Sequence, residues 1–189
     1  ANSSSMKFHT NLKNYNCAPL VSLKSLANEL KINNLFVKDE SQRFGLNAFK
    51  VLGASYAVYH LLNTDSDITT FCTATDGNHG RAVAWSARKE NKKCVVYVPE
   101  NTTKLRMNAI ANEGAEVYKL KMNYEKTCDY AKKMSLKNNW SLIQDTSWDN
   151  YEEIPALIMS GYLTHFQELE NQMKLNFNGK IDIIFLQCG

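Results

Sequence analysis

The segment TTFCTATDGNHGRAVAWSARKE, residues 69–90, runs from a β-type stretch through a glycine turn into a helical stretch. Residues 69–74 predict a strand and residues 78–90 a helix. Gly77 and Gly80 would let the backbone approach a ligand closely, and the first N–H groups of the helix form an anion site. A purely structural turn with a capped helix is the alternative for this segment. The segment therefore predicts one strand–turn–helix unit with a candidate ligand site at the turn.

The same alternation continues in both directions along the chain. The predicted strands are residues 35–38, 69–74, 94–98, 116–120, 141–144 and 181–186. The predicted helices are residues 47–62, 78–90, 102–112, 124–137 and 151–174. This order predicts a layered α/β fold with a mainly parallel sheet, in which ligands bind beyond the carboxyl ends of the strands.

Composition excludes several classes of function. The 189 residues carry a net charge of +3 from 22 basic and 19 acidic side chains. These charges are spread along the chain, so the sequence does not predict the clustered basic surface of a nucleic-acid-binding protein. No apolar run is long enough to span a membrane and no signal peptide is evident, which predicts a cytosolic protein with no membrane partner. The five cysteines lack a C-x-x-C pair and are predicted to be buried free thiols. The spacing of Cys72, Asp76 and His79 matches no zinc site, so no metal centre is predicted.

A single lysine stands out in RFGLNAFKVLGASYAVYHLL, residues 43–62. Asn47 is a favourable N-cap, which predicts that Lys50 lies in the first helical turn. The helix dipole disfavours a cation there, and burial disfavours the charged form further. We therefore expect Lys50 to be biased toward a neutral, nucleophilic amine. A surface lysine whose stem covers apolar neighbours is the alternative.

A third informative segment is IQDTSWDNYEEIP, residues 143–155, where Asp145 closes a predicted strand. Taken alone, Asp145 could simply cap a turn. The lysine, the glycine turn and Asp145 nevertheless all fall at one edge of the predicted sheet, which favours a shared site. The last predicted strand stops at Gly189, where a binding loop would begin, so we expect the chain to be the front portion of a longer protein.

Three stretches resemble the diaminopropionate ammonia-lyases, a branch of the fold type II pyridoxal-phosphate enzymes that also include threonine dehydratases and serine racemases. They are VKDESQRFGLNAFKVLGASYAV, TATDGNHGRAVAW and QDTSWDNYEEIPALIMSGY. The resemblance implies a three-layer, tryptophan synthase β-like fold with two lobes, incomplete at its C-terminus. Residues 1–67 with 153–189 would belong to the large cofactor lobe, and residues 68–152 would form a small mobile lobe.

The resemblance also implies a pyridoxal 5′-phosphate site. Lys50 matches the lysine that forms a Schiff base with this cofactor. Phe49 matches the residue packed beside the cofactor ring, and Asn78 matches the asparagine that binds the 3′-oxygen of the cofactor. Gly189, at the end of the last predicted strand, is counted among the cofactor-binding residues.

The reaction implied is α,β-elimination of D- and L-2,3-diaminopropionate to pyruvate and ammonia. Asp76 and Asp145 match the family's two catalytic aspartates, and we assign Asp76 to the D isomer and Asp145 to the L isomer. Thr75, Gly77 and His79 complete the predicted contacts with a small amino-acid substrate. The family implies a homodimer. A threonine or serine dehydratase and a catalytically silent fragment are the alternatives.

Overall fold

The computed structural model describes residues 3–177 and 180–186, which form helices and strands in alternation. In chain order the elements are α1 (Ser4–Thr10), β1 (Leu20–Ser22), α2 (Lys24–Glu29), β2 (Phe36–Lys38), α3 (Lys50–Thr64), β3 (Thr70–Ala74), α4 (Asn78–Lys89), β4 (Lys93–Val98), α5 (Lys104–Ala111), β5 (Glu116–Lys119), α6 (Tyr124–Asn138), β6 (Ser141–Leu142) and α7 (Glu153–Phe177). A short 3₁₀ turn covers Arg43–Gly45. None of the helices in these two ranges is both long and apolar enough to cross a membrane.

The central sheet contains four parallel strands in the order β5-β4-β3-β6. Helices α4, α5 and α6 connect successive strands, as parallel pairing requires. Every residue of β3 is buried, because helices cover both faces of the sheet at its centre. The predicted parallel α/β architecture is thereby confirmed, and the carboxyl ends of β3 and β6 lie side by side.

Strands β1 and β2 form a separate antiparallel pair that the sequence patterns do not predict in full. The pairing runs from Leu20 opposite Lys38 to Ser22 opposite Phe36. Only β2 was expected, because β1 is three residues long and is not apolar throughout. This pair does not belong to the four-stranded sheet.

Helices α3 and α7 cross in direct contact at a pair of glycines. A Cβ atom on Gly161 would lie 2.3 Å from the carbonyl oxygen of Leu52, and one on Gly53 would lie 2.6 Å from Cγ2 of Ile158. Only glycine allows this approach of the two backbones. The crossing places Tyr162, the residue after Gly161, beside the start of α3.

A buried ionic cluster around Glu168 joins α7 to the N-terminal third of the chain. Arg43 donates to both oxygens of this carboxylate at 2.8 Å, and Lys38 Nζ lies 2.7 Å from Oε2. The Tyr15 hydroxyl donates at 2.5 Å and the amide of Ala18 at 3.1 Å. Burial raises the pKa of Glu168, but the hydrogen bonds from Arg43, Lys38 and Tyr15 outweigh it and lower the pKa to about 2.

The start of α3 differs from the prediction. The helix begins at Lys50, and Phe49 occupies the N-cap position without a side-chain capping bond. Asn47 was predicted to be the N-cap, but its φ of 59° is left-handed, a conformation that asparagine tolerates in turns. Phe44 and Gly45 also have positive φ angles, 49° and 76°, so a tight loop leads into the lysine.

The C-terminal end of the described chain also corrects a sequence prediction. Residues 181–186 were predicted to form a strand, but they form none and Phe185 is 87% exposed. Strand composition is not sufficient, because a strand also needs a hydrogen-bonded neighbour, and none of the described strands pairs with this segment. At the other end Ser3 caps α1 and Ser5 is buried.

The predicted buried thiols are found for Cys72 and Cys94. Cys17 is exposed and Cys128 is only half-buried, which contradicts the prediction for these two residues. The apolar spacing around a cysteine is therefore an incomplete guide to its burial, because Cys17 lies in the irregular segment before β1. Cys188 and Gly189 lie outside the described residues.

Candidate active site

The start of α3 and the end of β6 bring Lys50 and Asp145 together. Lys50 Nζ donates to Asp145 Oδ2 at 2.8 Å, although the two residues are 95 positions apart. The Lys50 side chain keeps 32% of its surface exposed and the Asp145 side chain 15%. Lys50 is therefore only partly buried and lies against a carboxylate, so the burial that the sequence argument assumed for this side chain is not found.

His79, in the first turn of α4, lies behind the carboxylate of Asp145. Its Nε2 lies 2.9 Å from the carbonyl oxygen of Ile143, which assigns the ring proton to Nε2 because a carbonyl can only accept. Its Nδ1 lies 3.6 Å from Asp145 Oδ2 and has no hydrogen-bond partner among the described residues. Burial lowers the pKa of His79, so the imidazole is neutral at pH 7.

The electrostatic environment keeps Asp145 ionised. Burial acts to raise the pKa of this carboxyl, but the hydrogen bond and the positive charge of Lys50 outweigh it and hold the pKa below its ordinary value. Asp145 is therefore a charged hydrogen-bond acceptor at neutral pH.

Thr75 organises the glycine turn between β3 and α4. Its buried hydroxyl oxygen accepts from the amides of Gly77 at 3.0 Å and Gly80 at 3.1 Å. Gly77 provides no side chain at the N-cap, so Thr75 supplies the capping oxygen instead. A Cβ atom on Gly80 would lie 2.2 Å from Cγ2 of Thr75, which explains the glycine there. The predicted contact of Thr75 with a substrate stays a prediction.

Asp76 and Asn78 lie on the exposed side of this turn. The backbone carbonyl of Asp76 accepts from Arg106 Nη1 at 3.3 Å. In the described part of the chain no ion pair joins Asp76 to Lys50, so the structure brings one of the two predicted bases to the lysine and leaves the other at the surface. Burial raises the pKa of Tyr124, and Cys128, Asp145 and Asp76 raise it further, so this phenol lies in the field of both carboxylates.

Aromatic rings from α7 surround Phe49. The Phe49 ring meets Tyr162 edge to face at 5.1 Å and His165 at 5.6 Å. Lys50 Nζ lies 5.8 Å from the ring centroids of both Phe49 and Tyr162. Sequence reasoning missed Tyr162, although it follows Gly161 at the end of the third quoted stretch.

The arrangement fits a planar aldehyde cofactor. Lys50 provides a partly exposed primary amine beside aromatic rings. Two buried polar atoms nearby, His79 Nδ1 and Tyr162 Oη, have no hydrogen-bond partner among the described residues. Buried polar atoms in folded proteins normally have such a partner, and a bound group can provide it here. The described residues contain no cluster of three or more histidine, cysteine or acidic side chains that could hold a metal.

Comparison with known proteins agrees with this geometry. The model of the family "Pyridoxal-phosphate dependent enzyme" matches residues 12–189. The diaminopropionate ammonia-lyase of Escherichia coli K12 is 40% identical over 185 residues, which are 89% of this chain and 46% of that protein. A crystal structure of the Escherichia coli enzyme with an aminoacrylate–PLP azomethine reaction intermediate superposes with a TM-score of 0.89 at 40% identity, over 90% of this chain and 47% of that one.

Relatives with lower sequence identity include L-threonine dehydratases. The biosynthetic L-threonine dehydratase of Haemophilus influenzae is 28% identical over 90% of this chain and 30% of its own length. The chain spans about half the length of the curated ammonia-lyases that it matches.

Proposed function

Because the chain belongs to the family of pyridoxal-phosphate dependent enzymes, we propose that the protein is a lyase that converts 2,3-diaminopropionate and water into pyruvate and two molecules of ammonia. The hydrogen bond of 2.8 Å between Lys50 and Asp145 carries this proposal, because it joins an amine and a candidate base at one sheet edge. The greater similarity to the ammonia-lyases than to the threonine dehydratase supports the choice of substrate.

Four residues would hold the cofactor in this proposal. Lys50 would attach it covalently, Phe49 would pack against its ring, Asn78 would bind its 3′-oxygen, and Gly189 would contribute from beyond the described residues. When bound, pyridoxal phosphate supplies an electron sink for the carbanion formed at Cα. Tyr162 Oη and His79 Nδ1 are buried polar atoms at which further hydrogen bonds can form.

The protein's own carboxylates would move the protons. Asp145 is ionised and hydrogen-bonded to Lys50, so it can accept the Cα proton of the L isomer once the substrate amine replaces the lysine beside it. The D isomer presents this proton on the opposite face, and Asp76 would accept it there. The β-amine must leave protonated, and Thr75, Gly77 and His79 would contact the substrate during this step.

Closure would exclude water from the reaction. We propose that residues 1–67 with 153–189 form a larger lobe and residues 68–152 a smaller mobile lobe that closes on the substrate. The four-stranded sheet within the second range and the α3–α7 crossing within the first support this division. A cytosolic homodimer is the proposed assembly, to be tested by light scattering of the purified protein.

Isomer-selective kinetics test the assignment of the two bases. In the complete protein, Asp145→Asn should remove turnover of L-diaminopropionate and spare the D isomer, and Asp76→Asn should do the reverse. Asp149→Asn changes an exposed aspartate in the loop after Asp145 and should change neither activity. Equal loss of both isomers in both variants would refute the assignment.

A second experiment separates this proposal from its alternatives. Borohydride reduction followed by peptide mass spectrometry should place the cofactor on Lys50, and Lys50→Ala should leave no labelled peptide. Turnover of threonine or serine in preference to diaminopropionate would favour a dehydratase. A protein that takes up no cofactor would favour a catalytically silent chain.

A further inference from the structure

The geometry points to Gln144 as a positioning residue that holds the two candidate bases, Asp76 and Asp145, at a fixed separation. This inference rests on the proposed function and adds a residue to which neither the sequence patterns nor the resemblance assigns a role. Gln144 is 1% exposed and directly precedes Asp145. It does not reach a substrate itself and acts through the residues that it binds.

The side chain of Gln144 continues the sheet where backbone pairing stops. The β3–β6 ladder pairs Phe71 with Ser141 and Cys72 with Leu142. Its last backbone hydrogen bond runs from the amide of Ile143 to the carbonyl of Cys72 at 2.8 Å. Beyond it, Gln144 Oε1 accepts from the amide of Ala74 at 3.1 Å. A side chain therefore takes the place of a backbone acceptor at the end of β3, two residues before Asp76.

Four hydrogen bonds determine the orientation of the Gln144 carboxamide. Its oxygen accepts from the Ala74 amide and, at 3.2 Å, from the Thr73 hydroxyl. Its nitrogen donates to Tyr124 Oη at 3.1 Å and Cys128 Sγ at 3.6 Å. The Ala74 amide can only donate, so the reversed carboxamide would place its NH₂ group against this N–H and leave a buried donor unsatisfied. The carboxamide thus links β3 to α6 in one fixed arrangement.

The backbone of Gln144 is held as firmly as its side chain. Its amide donates to Tyr151 Oη at 2.8 Å, and the Tyr151 hydroxyl donates in turn to the carbonyl of Leu142 at 2.9 Å. The Tyr151 hydroxyl therefore bonds to the residue before Ile143 and to the residue after it, at the end of β6. Since the backbone and side chain of Gln144 are both fixed, the residue after it and the end of β3 are held relative to each other.

The proposed chemistry needs such a link. Two bases that serve opposite faces of one substrate must keep their separation, and a displacement of about 1 Å can lower a rate about 100-fold. Among the described residues the β3–β6 pairing ends at Leu142, so side chains must hold the segment around Asp76 relative to Asp145. His79 does this from the start of α4 through the carbonyl of Ile143, and the Gln144 carboxamide does it at the end of β3.

The test compares two substitutions of Gln144 in the complete protein. Gln144→Met keeps the volume of the side chain and removes the hydrogen bonds. It should lower kcat about 100-fold for both the D and the L isomer while KM changes little, because the separation of the bases matters in the transition state. Gln144→Glu places a carboxylate next to Asp145, so the acid limb of the pH profile should move to higher pH with the L isomer and less with the D isomer.

Gln172→Met is the matched control. Gln172 is half-buried on α7 and also makes hydrogen bonds on both sides of its amide, to Lys38 and to the carbonyl of Ala18. This variant loses comparable bonds far from the candidate bases, so its kcat and its pH profiles should match those of the wild type. If Gln144→Met behaves like Gln172→Met, or if Gln144→Glu leaves the L profile unchanged, Gln144 is not a positioning residue.

Hydrogen exchange separates this inference from the proposed function. In Gln144→Met the amides of residues 73–78 should exchange faster than in the wild type, and in Gln172→Met they should not. Unchanged exchange in Gln144→Met would overturn the inference even if the enzyme is a lyase. A wild type that turns over neither isomer, with faster exchange in Gln144→Met, would refute the proposed function and keep the structural link.

Discussion

Replacing Gly161 with alanine tests the close crossing of α3 and α7. A glycine-to-alanine change inside a helix normally stabilises a protein by about 0.5–1 kcal/mol, because the unfolded chain loses freedom. Here the new Cβ would lie 2.3 Å from the carbonyl oxygen of Leu52 and 2.8 Å from Cα of Gly53. An ordinary contact begins at about 3.4 Å, so the first distance is about 1.1 Å too short.

The size of the stability change depends on which atoms must move to make room for the new Cβ. Both contacts are with backbone atoms, which cannot rotate away as a side chain would, so the helices must separate by roughly 1 Å. Overpacking of this kind typically costs about 1–3 kcal/mol. Subtraction of the usual alanine benefit leaves about 0–2.5 kcal/mol. Because both contacts are with backbone atoms, we expect Gly161→Ala to lower the free energy of unfolding by about 1–2 kcal/mol within this range. The sign is opposite to that of an ordinary helix position.

The assay is chemical or thermal unfolding of the complete protein followed by circular dichroism. Ser160→Ala is the control, because Ser160 is the preceding residue of α7, is half-buried, and its hydroxyl donates within its own helix to the carbonyl of Ala156. Since Tyr162 follows Gly161 and packs against Phe49, Gly161→Ala should also reduce the fraction of protein that retains cofactor. A Gly161→Ala protein that is as stable as the wild type would refute the crossing as described.

Two further variants test other parts of the structure. For Glu168, the folded pKa of about 2 lies below the ordinary 4.5, so the folded state holds fewer protons between these values and stability is lost as the pH falls from about 4.5 toward 2. Glu168→Gln should flatten this part of the curve of unfolding midpoint against pH, by an amount on the order of 3 kcal/mol at most, and equal slopes would contradict the ionic cluster. Arg81 donates to the carbonyls of Leu46 at 3.1 Å and Gly45 at 3.4 Å, so Arg81→Met should speed tryptic cleavage in the loop before Lys50. Arg88→Met, which removes another partner of Glu113, should leave cleavage of that loop unchanged.

The central strands are predictable because a strand that is buried on both faces has buried residues at consecutive positions. Segment 70–74 is buried at each position, and an apolar run bounded by turns identifies such a strand without knowledge of its neighbours. The same criterion is wrong for residues 181–186, where the pattern is present and the pairing is not. Propensity indicates what a segment can form, and pairing decides what it forms.

The candidate site was predictable where it depends on strand ends. Lys50 and Asp145 meet because α3, which leads into β3, starts at the edge of the parallel sheet where β6 ends. The roles of Tyr162 and Gln144 depend on neighbours brought together only in the fold, at a helix crossing and at the end of a ladder. The exposed position of Asp76 was not predictable either, because spacing says which edge a residue occupies and not where its side chain lies.

The Glu168 cluster has a consequence for the order in which the protein can fold during synthesis. Arg43 is separated from its buried counter-charge by 125 residues, and Tyr15 by 153. A ribosome must therefore make the whole four-stranded sheet before the carboxylate that Lys38 and Arg43 share exists, and until then Glu40 is the acidic partner that the structure gives Arg43. The contacts that join the N-terminal third to α7 can form only after the sheet has been synthesised, so we expect the sheet to fold first.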